Sequence, residues 1–321
     1  MRGNRGAPTV LASTWHDGVF VVTAEGRDQE LAGQGVSSLA PAGHGGALAI
    51  VGGHSLCRRT ADGEWTAIAT SEFELACCVA VGDVTYVGTD DARVLRISAN
   101  GRIDRLDGFD AVAGRDTWFA GSAIIDGQRV GPPLGIRSMA ATADGAVLLA
   151  NVHVGGIPRS TDGGVTWHPT IDNDSDVHEV CAHPTHPSIV IAAAAIGLCI
   201  SRDGGATWAV ERDGLHASYC SAVAFSGDDI LVSASDDHFA TQGAIYRRRW
   251  DGDGPLVPVR GLPTWIDGIA DTGCIATLDS VIAVADRASN LYVSADGGVS
   301  WSYRADRLPT ASSVLIVSPT Q

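Results

Sequence analysis

An eight-residue phrase occurs three times in this chain: Ser160-Thr-Asp-Gly-Gly-Val-Thr-Trp167, Ser201-Arg-Asp-Gly-Gly-Ala-Thr-Trp208 and Ser294-Ala-Asp-Gly-Gly-Val-Ser-Trp301. A repeat of this kind constrains the fold more than any other feature of the sequence. In each copy the aspartate can accept bonds from amides of its own turn, as in an Asx turn. The paired glycines supply the positive φ of a tight hairpin. The tryptophan then begins a strand and packs between sheets. Each phrase therefore predicts a hairpin staple, and Asp162, Asp203 and Asp296 are expected to be structural rather than catalytic.

These residues resemble the Asp box, S-x-D-x-G-x-[ST]-W, of the BNR-repeat propellers. That family includes sialidases, sortilin-type receptors and a photosystem assembly factor. The resemblance implies an all-β propeller, with each box between the third and fourth strands of a blade, on the face away from the active site. Weaker versions stand in box positions at Thr60-Ala-Asp-Gly-Glu-Trp65, Ser98-Ala-Asn-Gly101 and Arg247-Arg-Arg-Trp-Asp-Gly252. Aligned on these, segments follow at a spacing of roughly 40–45 residues, which suits a four-stranded blade. The first segment holds only three strand-like runs, and residues 312–317 form a spare strand at the C-terminus. If that strand becomes the innermost strand of blade one and pairs with residues 10–13, the ring closes and two open edges disappear. The expected fold is one seven-bladed β-propeller over residues 1–321, with an insertion at 107–135 between blades three and four.

Composition narrows the function. The net charge is −15, and all 22 basic residues are arginine. That balance disfavours nucleic acid and anionic membranes as partners. Without lysine there is no Schiff base and no Walker-type phosphate loop. No apolar run is long enough to span a membrane, and the N-terminus lacks the apolar core of a signal peptide. The seven cysteines show no C-x-x-C spacing, and their odd number fits a reducing compartment. A cytoplasmic protein is the expectation.

The candidate site lies on the face opposite the boxes. Hairpins between the second and third strands reach that face, and they carry His16, His54, His153 and the pair Asp237-His238. The starts of the innermost strands line the channel mouth there. Alignment places Arg137, His178-Glu179, Tyr219 and Asp267 at those starts. Charges at a crowded axis must be paired, wet or metal-bound. His16, His54, His153, His178 and His238 are therefore candidate ligands for a divalent transition metal, and Zn, Fe, Cu and Mn all suit such a set. Glu179, Asp267, Arg137 and Tyr219 are the candidate catalytic residues, with Glu179 or Asp267 completing the metal shell or acting as base on a bound water. His153→Ala and His178→Ala are each expected to abolish metal uptake and leave the melting temperature almost unchanged. The insertion carries Arg115, Trp118 and Phe119. A loop of this length is usually functional or disordered, and it reads either as a cover over the channel mouth or as a structural plug.

Three functions compete. One is a metal-dependent enzyme acting on a small-molecule ligand in the channel mouth, an arrangement analogous in architecture to the iron centre of carotenoid-cleaving propellers. Another is a non-catalytic platform for a protein partner. The third is a sialidase-like hydrolase, for which the family pattern asks an Arg-Ile-Pro motif before the first box and six blades. The chain offers neither.

Overall fold

The computed structural model describes residues 9–43, 45–119, 124–125, 128–129, 134–305 and 308–318. Runs such as Ala47–Val51, Val190–Ala194 and Val281–Ala285 are buried along their whole length. Each is the second strand from the axis and is covered on both faces by neighbouring sheets. A continuous apolar run, rather than alternation, is what such a strand needs. The result is a seven-bladed β-propeller of antiparallel sheets, running outward from the axis in chain order except in blade one, whose innermost strand is the last of the chain. Among the described residues no helix is long and apolar enough to cross a membrane.

The innermost strands are Val36–Pro41, Leu75–Val81, Ile136–Ala141, Val177–Ala182, Tyr219–Ser226, Ile275–Leu278 and Ala311–Val317. Each contacts the next in that cyclic order, and the last contacts the first. The last of them pairs with Thr9–Thr14, matching Val10 to Ile316 and Leu11 to Leu315, so the C-terminal strand closes blade one as expected. The core is divided between blades, as clusters of Val, Ile, Leu and Ala from adjacent sheets.

A bulge recurs near the start of the innermost strands. The register shifts there in blades one to six, leaving Ser312, Ser37, Ala76, Arg137, His178 and Ser221 as the extra residues. A bulge leaves its extra residue unpaired in the ladder and re-aims its side chain. Here several of those side chains tie blades together. Ser221 Oγ donates to Ala270 O at 2.7 Å, His178 Nδ1 lies 2.6 Å from Cys220 O, and Ser312 Oγ donates to Val36 O.

The Asp boxes behave as the repeat predicts. Ser201 Oγ donates to Asp203 Oδ1 at 2.8 Å and accepts from Gly205 N at 2.7 Å. Asp203 accepts from Thr207 N at 2.9 Å and from Thr207 Oγ1 at 2.6 Å. The other two boxes repeat these bonds. Gly204 and Gly205 have φ of +69° and +81°, which a side chain would strain.

Two expectations fail. Residues 266–267 do not start the innermost strand of blade seven. They pair with the third strand of blade six, Gln242 against Asp267 and Gly243 against Ile266. The apolar Ile266 matches the repeat by chance, while the chain needs nine more residues to reach the axis at Ile275. Of the two readings of the insertion, the cover fails for its described aromatics, which pack as a plug. Trp118 is buried between blades three and four, with Phe109 at 5.6 Å between ring centroids. Phe109 in turn meets Trp167, the tryptophan of the first box, edge-on at 5.1 Å. Arg115 lies over both Phe109 and Trp118 and donates to Ala92 O at 2.8 Å. Phe119 bridges to Val154 of blade four. Blade four has three strands instead of four, with an isolated bridge from Arg159 to His168 beyond them, and this segment packs in the core cluster between blades three and four. Most of 120–133 lies outside the described residues.

Candidate metal centre at the channel mouth

A cavity of about 1120 Å³ occupies the axis on the face opposite the boxes. Its wall includes His16, Arg137, His153, Glu179, His238, Asp271 and Arg287. The bulge in blade four aims Arg137 across the channel. Its Nη2 donates to Asp271 Oδ1 at 3.2 Å and to Thr272 Oγ1 at 3.0 Å, both on the approach to blade seven. Arg287 Nη2 takes the other Asp271 oxygen at 3.3 Å. One carboxylate is thus shared by two guanidinium groups. Burial would raise the Asp271 pKa, but Arg137 and Arg287 hold it below the usual carboxylate range.

Beside Arg137 three potential ligand atoms converge. One ligand atom from each of His153, Asp176 and His178 lies within 4.8 Å of the other two. His153 Nε2 lies 3.0 Å from Asp176 Oδ1, and His178 Nε2 lies 3.5 Å from the same oxygen. His178 is only 1% exposed, and its Nδ1–H donates to Cys220 O, which points the Nε2 lone pair at Asp176. Asp176 Oδ1 and His178 Nε2 are both buried and neither makes a hydrogen bond. Among the described residues their only close polar neighbours are each other and the His153 imidazole. Asp176 is reached with a left-handed backbone, φ 48° and ψ 73°. Strain of that kind at a non-glycine residue collects at functional sites.

The protonation states agree with ligand chemistry. Burial lowers the His153 pKa, although the Asp176 contact works the other way. Burial would raise the Asp176 pKa, but its contacts with His153 and His178 hold it well below the usual range. Tyr219 lies against His178 with ring centroids 4.5 Å apart, and burial pushes its phenol up to about 12. It can donate a proton bond but does not ionise at neutral pH.

The sequence-derived site is therefore partly assembled. His153, His178, Arg137 and Tyr219 come together. His238 lines the same cavity, but Arg287 lies against its ring and it is not in the three-residue cluster. His16 lines the cavity rim and is exposed. His54 is also exposed, with Nδ1 3.2 Å from Phe73 O, and is not part of the cavity wall. Asp267 is away from the axis, with Oδ2 accepting from Asn290 Nδ2 at 3.1 Å. Glu179 is at the axis but both its oxygens are engaged, accepting from Val223 N at 2.9 Å and Gly273 N at 3.1 Å. It holds three blades in register. Sequence reasoning missed Asp176 and Asp271. Asp176 stands two residues before His178, a spacing visible in the chain. Asp271 was hidden by the misplaced start of blade seven.

The BNR/Asp-box repeat profile matches residues 159–169, the first full box. The chain carries BNR/Asp-box repeats. No curated protein sequence matches it. Among solved structures, the chain is similar to a GH74 enzyme of Niastella koreensis, with TM-score 0.61 and 13% identity over 91% of this chain and 46% of that one. It is similar to the GH74 xyloglucanase of Xanthomonas campestris, with TM-score 0.56 and 19% identity over 92% and 46%. The WD40 β-propeller domain of Doa1 gives TM-score 0.64 and 11% identity over 98% and 94%. At such identities the likeness is one of fold. The chain spans about half the length of the GH74 enzymes it matches.

Proposed function

We propose that this propeller is a small-molecule-binding protein, and an enzyme, whose ligand meets a divalent transition metal at His153, Asp176 and His178. The observation that carries the reading is the pair of buried, unbonded atoms, Asp176 Oδ1 and His178 Nε2, with His153 Nε2 beside them. Two imidazoles and one carboxylate with open positions suit a first-row transition metal. The bond from His178 to Cys220 O is the outer-shell contact that orients a metal-binding histidine. At present Arg137 Nη1 lies 3.0 Å from His153 Nε2, and that bond gives way when the lone pair is used for a metal. Such an ion would supply Lewis acidity to a bound oxygen. The chain's own residues supply the rest. Tyr219 offers a hydroxyl and Arg137 offers N–H donors. Metal analysis of the purified protein tests this directly. His153→Ala and Asp176→Asn should each lose metal while remaining folded, and a wild-type protein that binds none after loading with zinc, cobalt, copper, manganese or ferrous iron ends the reading.

A second reading, a protein-binding platform, draws on three exposed aromatics of the same face. Trp15 is 52% exposed, Trp265 41% and Phe239 84%. A partner seated there would cover the channel mouth. Substituting all three with serine would then raise solubility and abolish any complex, without altering metal uptake.

A further inference from the structure

The three ligand atoms of the proposed centre are not equally free, and one residue of the cavity wall competes for them; this rests on the metal reading above. His178 Nε2 and Asp176 Oδ1 make no hydrogen bond. His153 Nε2, by contrast, lies 3.0 Å from Arg137 Nη1. A guanidinium can only donate, so this contact uses the Nε2 lone pair, the same pair that a metal needs. The other end of the guanidinium aims it. Arg137 Nη2 donates to Asp271 Oδ1 at 3.2 Å and to Thr272 Oγ1 at 3.0 Å. The bulge in blade four puts Arg137 outside the ladder and lets one side chain reach both partners and His153.

Position adds to the competition. Arg137 and His153 line the cavity, whereas Asp176 and His178 are not part of its wall. An ion arriving from the channel meets the Arg137–His153 pair before it meets the two buried atoms. Arg137 is also able to yield. Its side chain is 23% exposed, and on leaving His153 it has the cavity to enter and Asp271 still beside it. No buried charge is then left without a partner.

We infer that Arg137 is a built-in competitor of the metal: its N–H holds the His153 lone pair, and a divalent ion binds only by displacing it. The bond broken and the positive charge beside the site are common to every such ion. Arg137 therefore lowers the affinity for each of them by a similar factor, and sets the concentration at which the centre fills. A strut that merely held His153 in place would act in the opposite sense, since its loss would weaken binding.

The affinities of the full-length wild type and of Arg137→Met for zinc and for cobalt, measured against a chromophoric chelator, provide the test. Arg137→Met keeps much of the length and loses the N–H. It is expected to bind both ions at least about ten-fold more tightly than the wild type, and by similar factors. In Arg137→Ala, added methylguanidinium should restore the weaker binding, a rescue that no structural role produces. Unchanged or weaker affinity in a folded Arg137→Met overturns the inference and leaves the metal reading intact. A gain for one ion alone also overturns it, because the variant has then rebuilt the ligand set. Should neither variant fold, Arg137 is a strut of the ring and the inference falls. A wild type that binds neither ion ends the metal reading itself, and is seen before any variant is compared.

Discussion

Glu179 accepts two backbone N–H bonds, which ordinarily keeps a carboxylate ionised. Burial outweighs those bonds and the nearby Arg137, and pushes the pKa up to about 8 from the model-peptide value of 4.5. The folded protein then holds a proton that the unfolded chain has released. Between those two values the unfolded state binds fewer protons, so stability falls as pH rises. The metal-free protein is expected to melt highest near the acidic end of that window and to lose stability up to about pH 8. Glu179→Gln should flatten this part of the profile, and a variant with the wild-type slope would show that another group titrates. The same scale corrects the expected behaviour of the two histidine variants. His153 is partly exposed, so His153→Ala should cost metal and little stability. His178 is buried and bonded to Cys220 O, so His178→Ala should lower the melting temperature as well. Calorimetry of both apo variants separates the two effects.

A box hydroxyl and an inter-blade aromatic both fix an element in place, the aromatic with the larger effect. Ser201 Oγ is the acceptor for the buried Gly205 N–H, so Ser201→Ala leaves that donor unpaired and should cost about 1–3 kcal/mol. Asp203 in the same box is depressed to about 2, where burial is outweighed by its bonds to Thr207, Ser201 and Ala206. Its contribution is present above the usual aspartate range and is lost only as pH falls towards that value. Phe109, fully buried between Trp118 and Trp167, is the other case. Phe109→Ala should destabilise by about 3–5 kcal/mol and leave metal uptake per folded molecule unchanged. Loss of metal with unaltered melting would return the 107–119 segment to the role of channel cover. Denaturant unfolding combined with metal analysis distinguishes the outcomes.

For the whole molecule, the strand Ala311–Val317 decides whether the ring exists. It supplies the inner strand of blade one and contacts the inner strands of blades two and seven. A chain ending at Leu308 would bare the edge of Thr9–Thr14 and uncover Val314, Ile316 and Val317 contacts in two core clusters. Open edges of this kind template aggregation. We expect that truncation to be insoluble, or to melt far below the full chain. A truncated protein that melts with the full-length one would mean that the closure contributes nothing to stability.

The repeat phrase was enough to determine the fold class, the blade count and the closure, because a local hairpin chemistry repeated along a chain leaves few architectures that bury its strands. It also placed His153, His178, Arg137 and Tyr219 on one face, since equivalent positions in a toroid converge. What it could not determine was register where the repeat is silent. Ile266 matched the expected start of blade seven in hydrophobicity alone, and only the pairing of Asp267 with Gln242 shows that the chain first turns back onto blade six. That shift brings Asp271, not Asp267, opposite Arg137. Likewise, no pattern distinguishes an aromatic that covers a channel from one that fills a gap between blades. Trp118 does the latter, in the cluster it shares with Phe109, Ile136 and Val152. The pairing of Asp176 with two imidazoles depends on a left-handed turn and on bulges that re-aim side chains. Those are consequences of closing seven twisted sheets around one axis, and they arise only when the tertiary structure is formed.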